Sequence, residues 1–176
     1  MVKILKFLAY TLFFILALMY FMPKKNVYYL LEKELQANNI VISHEEVVDT
    51  GLSLKLNHLD IYMESIESAH VASVDISLFG LYNAVNVKDI KLTSVASSIL
   101  PVKINDVSIR YSILNPLNVT LNAVGGFGSV SGYANVLDRN MTLILKPSKI
   151  MKRKYRSTLN GLRKKSNGEY EYVQNF

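Results

Sequence analysis

The chain has no cysteine and no tryptophan, and only four prolines and eight glycines among its 176 residues. The missing thiols exclude disulfides, thiol catalysis and cysteine-ligated zinc, and they fit an exported protein. Acid is missing from one region: no Asp or Glu lies between Asp138 and Glu169. That stretch holds ten basic residues, half of the 20 in the chain, so the formal charge of +6 is concentrated near the carboxy terminus. Nucleotide-binding signatures are also missing. No Gly-Lys-Ser/Thr phosphate loop exists. Gly126, Gly128 and Gly132 are spaced one residue too long for a dinucleotide fingerprint, and a strand pattern follows where a helix must begin. No serine stands in a nucleophile-elbow context. Glu45, Glu46, Asp49, Glu64 and Glu67 read as acids on solvated strand faces. His44, His58 and His70 lack the short local spacing of zinc ligands and read as surface or edge residues. The expectation is therefore no catalytic residue, no metal and no cofactor.

One feature is present in force. Ile4 to Met22 is a continuous apolar run with Lys6 as its only charge. Spanning a hydrocarbon core takes about 20 helical residues, so residues 1–25 read as a membrane anchor closed by Pro23, Lys24 and Lys25. A cleaved signal peptide needs small residues at its cleavage site, and this run ends in Leu18, Met19, Tyr20, Phe21 and Met22. Lys3, Lys6 and the terminal amine outnumber Lys24 and Lys25. The positive-inside rule then keeps the amino terminus inside and exports the rest.

About 150 residues follow, enough for one domain with its own core. Residues 26–39 read as a juxtamembrane helix capped by Asn26, with Val27, Leu30, Leu31 and Leu35 at helical spacing. It is expected either to continue the anchor past Pro23 or to fold back on the domain. From Ile40 to Lys146 the period changes to two. Leu54 and Leu56 alternate with polar residues, as do Ala72, Val74, Ile76 and Leu78, and Leu117, Val119 and Leu121. One-sided alternation of this kind marks antiparallel strands with one wet face.

A degenerate repeat overlies the strands. Leu54-Lys55-Leu56-Asn57-His58-Leu59-Asp60-Ile61, Val85-Asn86-Val87-Lys88-Asp89-Ile90-Lys91-Leu92 and Val102-Lys103-Ile104-Asn105-Asp106-Val107-Ser108-Ile109 each carry two apolar residues, a polar pair, then apolar residues again. One extra residue flips a strand's face. Each polar pair is therefore expected to be a bulge or bend that restores the apolar side, and three of them predict a strongly curved sheet. Gly125 to Gly128 reads as a turn with close strand approach. Ser148 is placed to cap a basic helix over about 148–160, with Ile150, Met151, Tyr155, Leu159 and Leu162 along one side. A turn at Asn167-Gly168 and a final strand from Tyr170 complete residues 40–176.

The basic residues Lys149, Lys152, Arg153, Lys154, Arg156, Arg163, Lys164 and Lys165 admit three readings. They form the solvated rim of a packed helix, a contact with anionic headgroups at about 1 kcal/mol per residue near the surface, or a surface for an acidic protein partner. Nucleic acid is not expected as the partner of an exported domain.

An uncleaved anchor, a short helix, and strands with phrases such as Val87-Lys88-Asp89-Ile90-Lys91-Leu92 and Ile104-Asn105-Asp106-Val107-Ser108-Ile109 occur here in sequence. The turn and strand over 126–132 follow. In this combination the chain resembles the general secretion pathway protein N family of type II secretion and, more broadly, AsmA-like bacterial proteins. The resemblance covers residues 4–146. It implies a single-pass inner-membrane protein with its domain in the periplasm and no catalytic residues. It also implies an accessory role in secretion or envelope assembly, or the handling of phospholipid or lipopolysaccharide in an apolar groove. The second possibility is similar in architecture to the single-anchor jelly-roll component of lipopolysaccharide export. The expected fold is mainly β: a curved antiparallel sheet, half-barrel or jelly-roll-like, with an N-terminal transmembrane helix and one or two short covering helices.

Overall fold

Apolar side chains on every face leave the first segment no wet side, and it forms one uninterrupted helix. In the computed structural model, which describes residues 2–94 and 96–176, this is α1 (Val2–Phe21). Its 20 residues are long and apolar enough to cross a membrane, and none is buried against the rest of the chain. Met1, with the terminal amine, lies outside the described residues.

Pro23 interrupts the helix and α2 (Lys24–Ala37) begins at once. Sequence spacing placed the start at Asn26 and turned Val27, Leu30 and Leu31 inward. The structure starts the helix two residues earlier and turns those three outward. The cause is Lys24, whose side chain is fully buried. Its ammonium donates to the carbonyls of Met19 (3.0 Å), Tyr20 (3.4 Å) and Met22 (3.3 Å), and to that of Gly51 (2.6 Å). The first two belong to the last turn of α1, whose carbonyls have no partner within the helix. With Lys24 and Tyr28 fixing the phase, α2 folds back on the domain, and Tyr28 enters its core.

Residues 40–176 form one antiparallel sheet of 11 strands. These are β1 (Ile40–Ser43), β2 (Glu46–Asp49), β3 (Ser53–Met63), β4 (Ile66–Leu78), β5 (Tyr82–Leu92), β6 (Lys103–Ser112), β7 (Asn118–Gly125), β8 (Gly128–Asn135), β9 (Asn140–Pro147), β10 (Arg163–Lys164) and β11 (Tyr170–Asn175). The order is β1-β3-β4-β5-β6-β7-β8-β9-β11-β10, with β2 also on β3. Among the described residues no strand pair closes the sheet into a barrel.

The polar pairs act as the repeat suggested. His58 and Asp89 lie inside strands at φ +56° and +51°, a left-handed conformation that Asn, Asp and His tolerate better than most residues. The third copy shifts register between Ile104 and Asp106, leaving Asn105 as the extra residue. Pairing of Asn57 with Ser73, Ser73 with Lys88 and Lys88 with Asp106 puts these points in line across four strands. The result is a crease running from β3 to β6. It explains one difference from the simple alternation: β4 also slips phase, so Val71 is buried while Ala72 is exposed.

Two apolar clusters lie along the sheet. The first joins Tyr28 of α2 to Leu54, Leu56, Leu59, Val71 and Ile76. The second joins Ala123, Phe127 and Leu145 to Met151 and Leu159. The latter two come from α3 (Lys149–Lys154) and α4 (Arg156–Asn160), because the basic segment breaks at Tyr155 instead of forming one helix over 148–160. Ser148 caps α3. Ile150, expected inward, is half exposed, since Met151 and Leu159 supply the buried contacts.

Candidate functional site

Two concave places stand out, and opposite chemistry builds them. The first lies under α3 and α4. Ala123 of β7, Val130 of β8, Leu143 and Leu145 of β9, and Tyr170 and Tyr172 of β11 wall it. Met151 and Leu162 help to close it over. The half-open cavity measures ≈ 270 Å³. Its lining is apolar. The hydroxyl of Thr158 donates to the Ile99 carbonyl (2.8 Å), and that of Tyr172 to Gln174 (2.6 Å). Glycine permits the strands to come this close: a Cβ on Gly132 would lie 2.2 Å from the Thr142 carbonyl oxygen.

The expected basic contacts do not share one helix, and none of them lines this cavity. Lys149, Lys152, Arg153 and Lys154 lie on α3, Arg156 begins α4, and Arg163 and Lys164 form β10. Arg163 (3.7 Å) and Lys165 (2.7 Å) pair with the half-buried Glu171 and so belong to the β10–β11 hairpin. Among the described residues, Lys149, Lys152, Arg153, Lys154, Arg156 and Lys164 form no ion pair. They leave exposed positive charge on and after the helices that cover an apolar cavity, a combination suited to an anionic amphiphile.

The second place is a cavity of ≈ 660 Å³ at the crease, lined by Leu59, Val71 and Ala72 as well as by charged groups. All three histidines line it, together with Asp60, Asp89, Lys91 and Lys103. Asp60 lies between Leu59 and Ile61 of the core face and therefore points to the other side. Its two carboxylate oxygens accept from His70 Nδ1 (2.5 Å) and His44 Nδ1 (2.9 Å). A carboxylate can only accept, so each Nδ1 carries the proton. The His70 bond chiefly, and the His44 bond after it, hold Asp60 below the usual carboxylate range. The same contact with Asp60 raises His70, and the Glu67 charge adds to the effect.

Glu67 reaches this cluster through a bulge. Ile61 pairs with Ala69 but Tyr62 pairs with Glu67, so Ser68 is an extra residue in β4. Residues 67 and 70 would otherwise occupy opposite faces. Thr93 pins the bulge, its hydroxyl donating to the Glu67 carbonyl (2.6 Å) and its amide to the Ser68 carbonyl (3.0 Å). Glu67 Oε1 then stands 3.4 Å from His70 Nε2. The sequence reading gave His70 no nearby partner, because ten residues separate it from Asp60. The β3–β4 hairpin centred on Glu64 and Ser65 was the one available signal.

No protein-family model matches the chain, and neither a curated protein nor a solved structure matches it.

Proposed function

We propose that this is a non-enzymatic, membrane-anchored envelope protein that holds the acyl chain of an anionic lipid in the cavity under α3 and α4. One observation carries the reading: the two helices that cover an apolar cavity carry exposed basic side chains that, among the described residues, form no ion pair. Its ≈ 270 Å³ exceeds the ~150 Å³ of an apolar cavity that takes up benzene. Lys152, Arg153 and Arg156 supply charge for a phosphate headgroup at its rim. The apolar helix α1 supplies the bilayer from which such a lipid would come. The resemblance to general secretion pathway protein N and AsmA-like proteins supports an inner-membrane location with the sheet in the periplasm.

Native mass spectrometry of the full chain after gentle extraction tests this. The wild type should retain lipid that Val130→Trp, which fills the cavity, loses. Lipid around α1 would be common to both proteins and cancels in the comparison. Equal lipid retention by the two proteins sinks the reading.

A second reading, an accessory part in secretion or envelope assembly, draws on the edge of β11. β10 pairs only with Tyr170 and Glu171, leaving residues 172–175 with an open outer edge. Such an edge accepts a partner strand. A photo-crosslinker at Val173 that captures a partner protein, with no lipid lost in Val130→Trp, favours this second reading.

A further inference from the structure

We infer that the crease carries a zinc-class divalent cation site, with Glu67 Oε1 and His70 Nε2 as ligands and Asp60 orienting the imidazole. It is independent of the lipid cavity, sharing no residue with it.

The geometry is that of a metal site closed onto itself. Two ligands about 2.0–2.1 Å from a tetrahedral zinc are separated by roughly 3.3 Å. Glu67 Oε1 and His70 Nε2 are 3.4 Å apart. The other ring nitrogen of His70 donates to Asp60 at 2.5 Å, so in the neutral imidazole Nε2 carries the lone pair that a cation would take. A metal-bound histidine almost always donates its second N–H in this way to a carboxylate or carbonyl. His44 repeats the arrangement on the other Asp60 oxygen. Its Nε2 becomes the third ligand if the side chain, which is largely exposed, rotates away from its Asp60 bond. Water fills what remains. Imidazole with carboxylate suits zinc better than calcium or magnesium, which take oxygen ligands.

The backbone is bent to make this arrangement. The Ser68 bulge turns Glu67 to the face of His70, and Thr93 fixes it there. His44 takes φ +63° at the kink between β1 and β2, a left-handed conformation that His tolerates better than most residues. Two cations oppose the site. Lys91 of β5 pairs across the sheet with His70, and Lys103 of β6 lies beyond it, drawn to Asp89 at 3.0 Å. The Lys91 charge works against a bound cation, and protons compete with it at His70.

The full chain in detergent micelles, stripped with chelator and titrated with zinc chloride in a calorimeter, provides the test. One zinc should bind per chain near neutral pH and bind more weakly as pH falls. His70→Ala and Glu67→Gln should each abolish saturable binding, and Asp60→Asn should weaken it about 10- to 100-fold. Lys91→Gln should tighten it, while His58→Ala should leave it unchanged. Cobalt in place of zinc should give visible absorption that His70→Ala removes. Circular dichroism of each variant confirms that the sheet is intact. If Asp60→Asn or Glu67→Gln loses its fold, the cobalt spectra and the Lys91→Gln and His58→Ala titrations carry the decision. Saturable binding that survives His70→Ala in the folded protein, or its absence in the wild type, overturns the inference.

Discussion

At the residue scale, the Asp60–His70 contact makes stability depend on pH in a defined window. Asp60 has a folded pKa below its ordinary 3.8, and His70 one above its ordinary 6.5. The Asp60 contribution is present above pH 3.8 and is lost as pH falls through its lowered value. The His70 contribution is present below pH 6.5 and is lost as pH rises through its raised value. In chelator-treated protein, His70→Ala should therefore lower the melting temperature most between those two values. The difference from wild type should shrink as pH rises through the raised His70 value, as followed by circular dichroism. A constant difference across the range would show that His70 acts by packing alone. Little of this cluster was legible beforehand. His44 and His70 read as surface or edge residues because their partner is set by strand register, and a single bulge at Ser68 decides which face Glu67 takes.

At the element scale, α3 has only six residues, too few to persist alone. It is held by the buried Met151 and by Ser148, whose hydroxyl accepts from the Met151 amide (3.1 Å) and donates to the Gly126 carbonyl (2.6 Å). Ser148→Ala removes the cap and should cost about 1 kcal/mol, read as a lower denaturation midpoint with unchanged slope. Met151→Ala should cost more, about 2–5 kcal/mol, because its side chain is fully buried. Equal midpoints for wild type and Met151→Ala would mean that the helix pair does not close the core. The strands were legible, because alternation survives wherever one face is wet. The break at Tyr155 was not. Ile150, Met151, Tyr155, Leu159 and Leu162 keep helical spacing straight through it. The helix after Pro23 was legible in extent but not in rotation, since no spacing rule makes a lysine its most buried residue.

At the scale of the whole molecule, the proposed periplasmic placement is open to a direct test. Lys3 and Lys6 lie in the first turns of α1, and Lys24 and Lys25 follow it, the charges on which the positive-inside rule acts. A fusion of alkaline phosphatase at Phe176 should accordingly be active. An inactive fusion, with a cytoplasmic reporter active at the same point, would reverse the topology and turn the basic rim toward inner-leaflet lipids. The outward stripe of Val27, Leu30 and Leu31 on α2 lies immediately after the anchor, where an interfacial helix would rest its apolar side on the bilayer.

The Lys24 joint also governs reach. Its ammonium ties the end of α1 to Gly51 in the turn before β3, and the Tyr20 ring fills the space where a Gly51 side chain would be. A domain fastened in this way is a bracket and has no slack with which to search the space around it. From β3 to β9 there are six strand spacings, a path of roughly 30 Å along the sheet. Cargo in the cavity under α3 and α4 would be carried that far from the joint by the sheet's own width, and lengthening the route would require more strands rather than a longer tether.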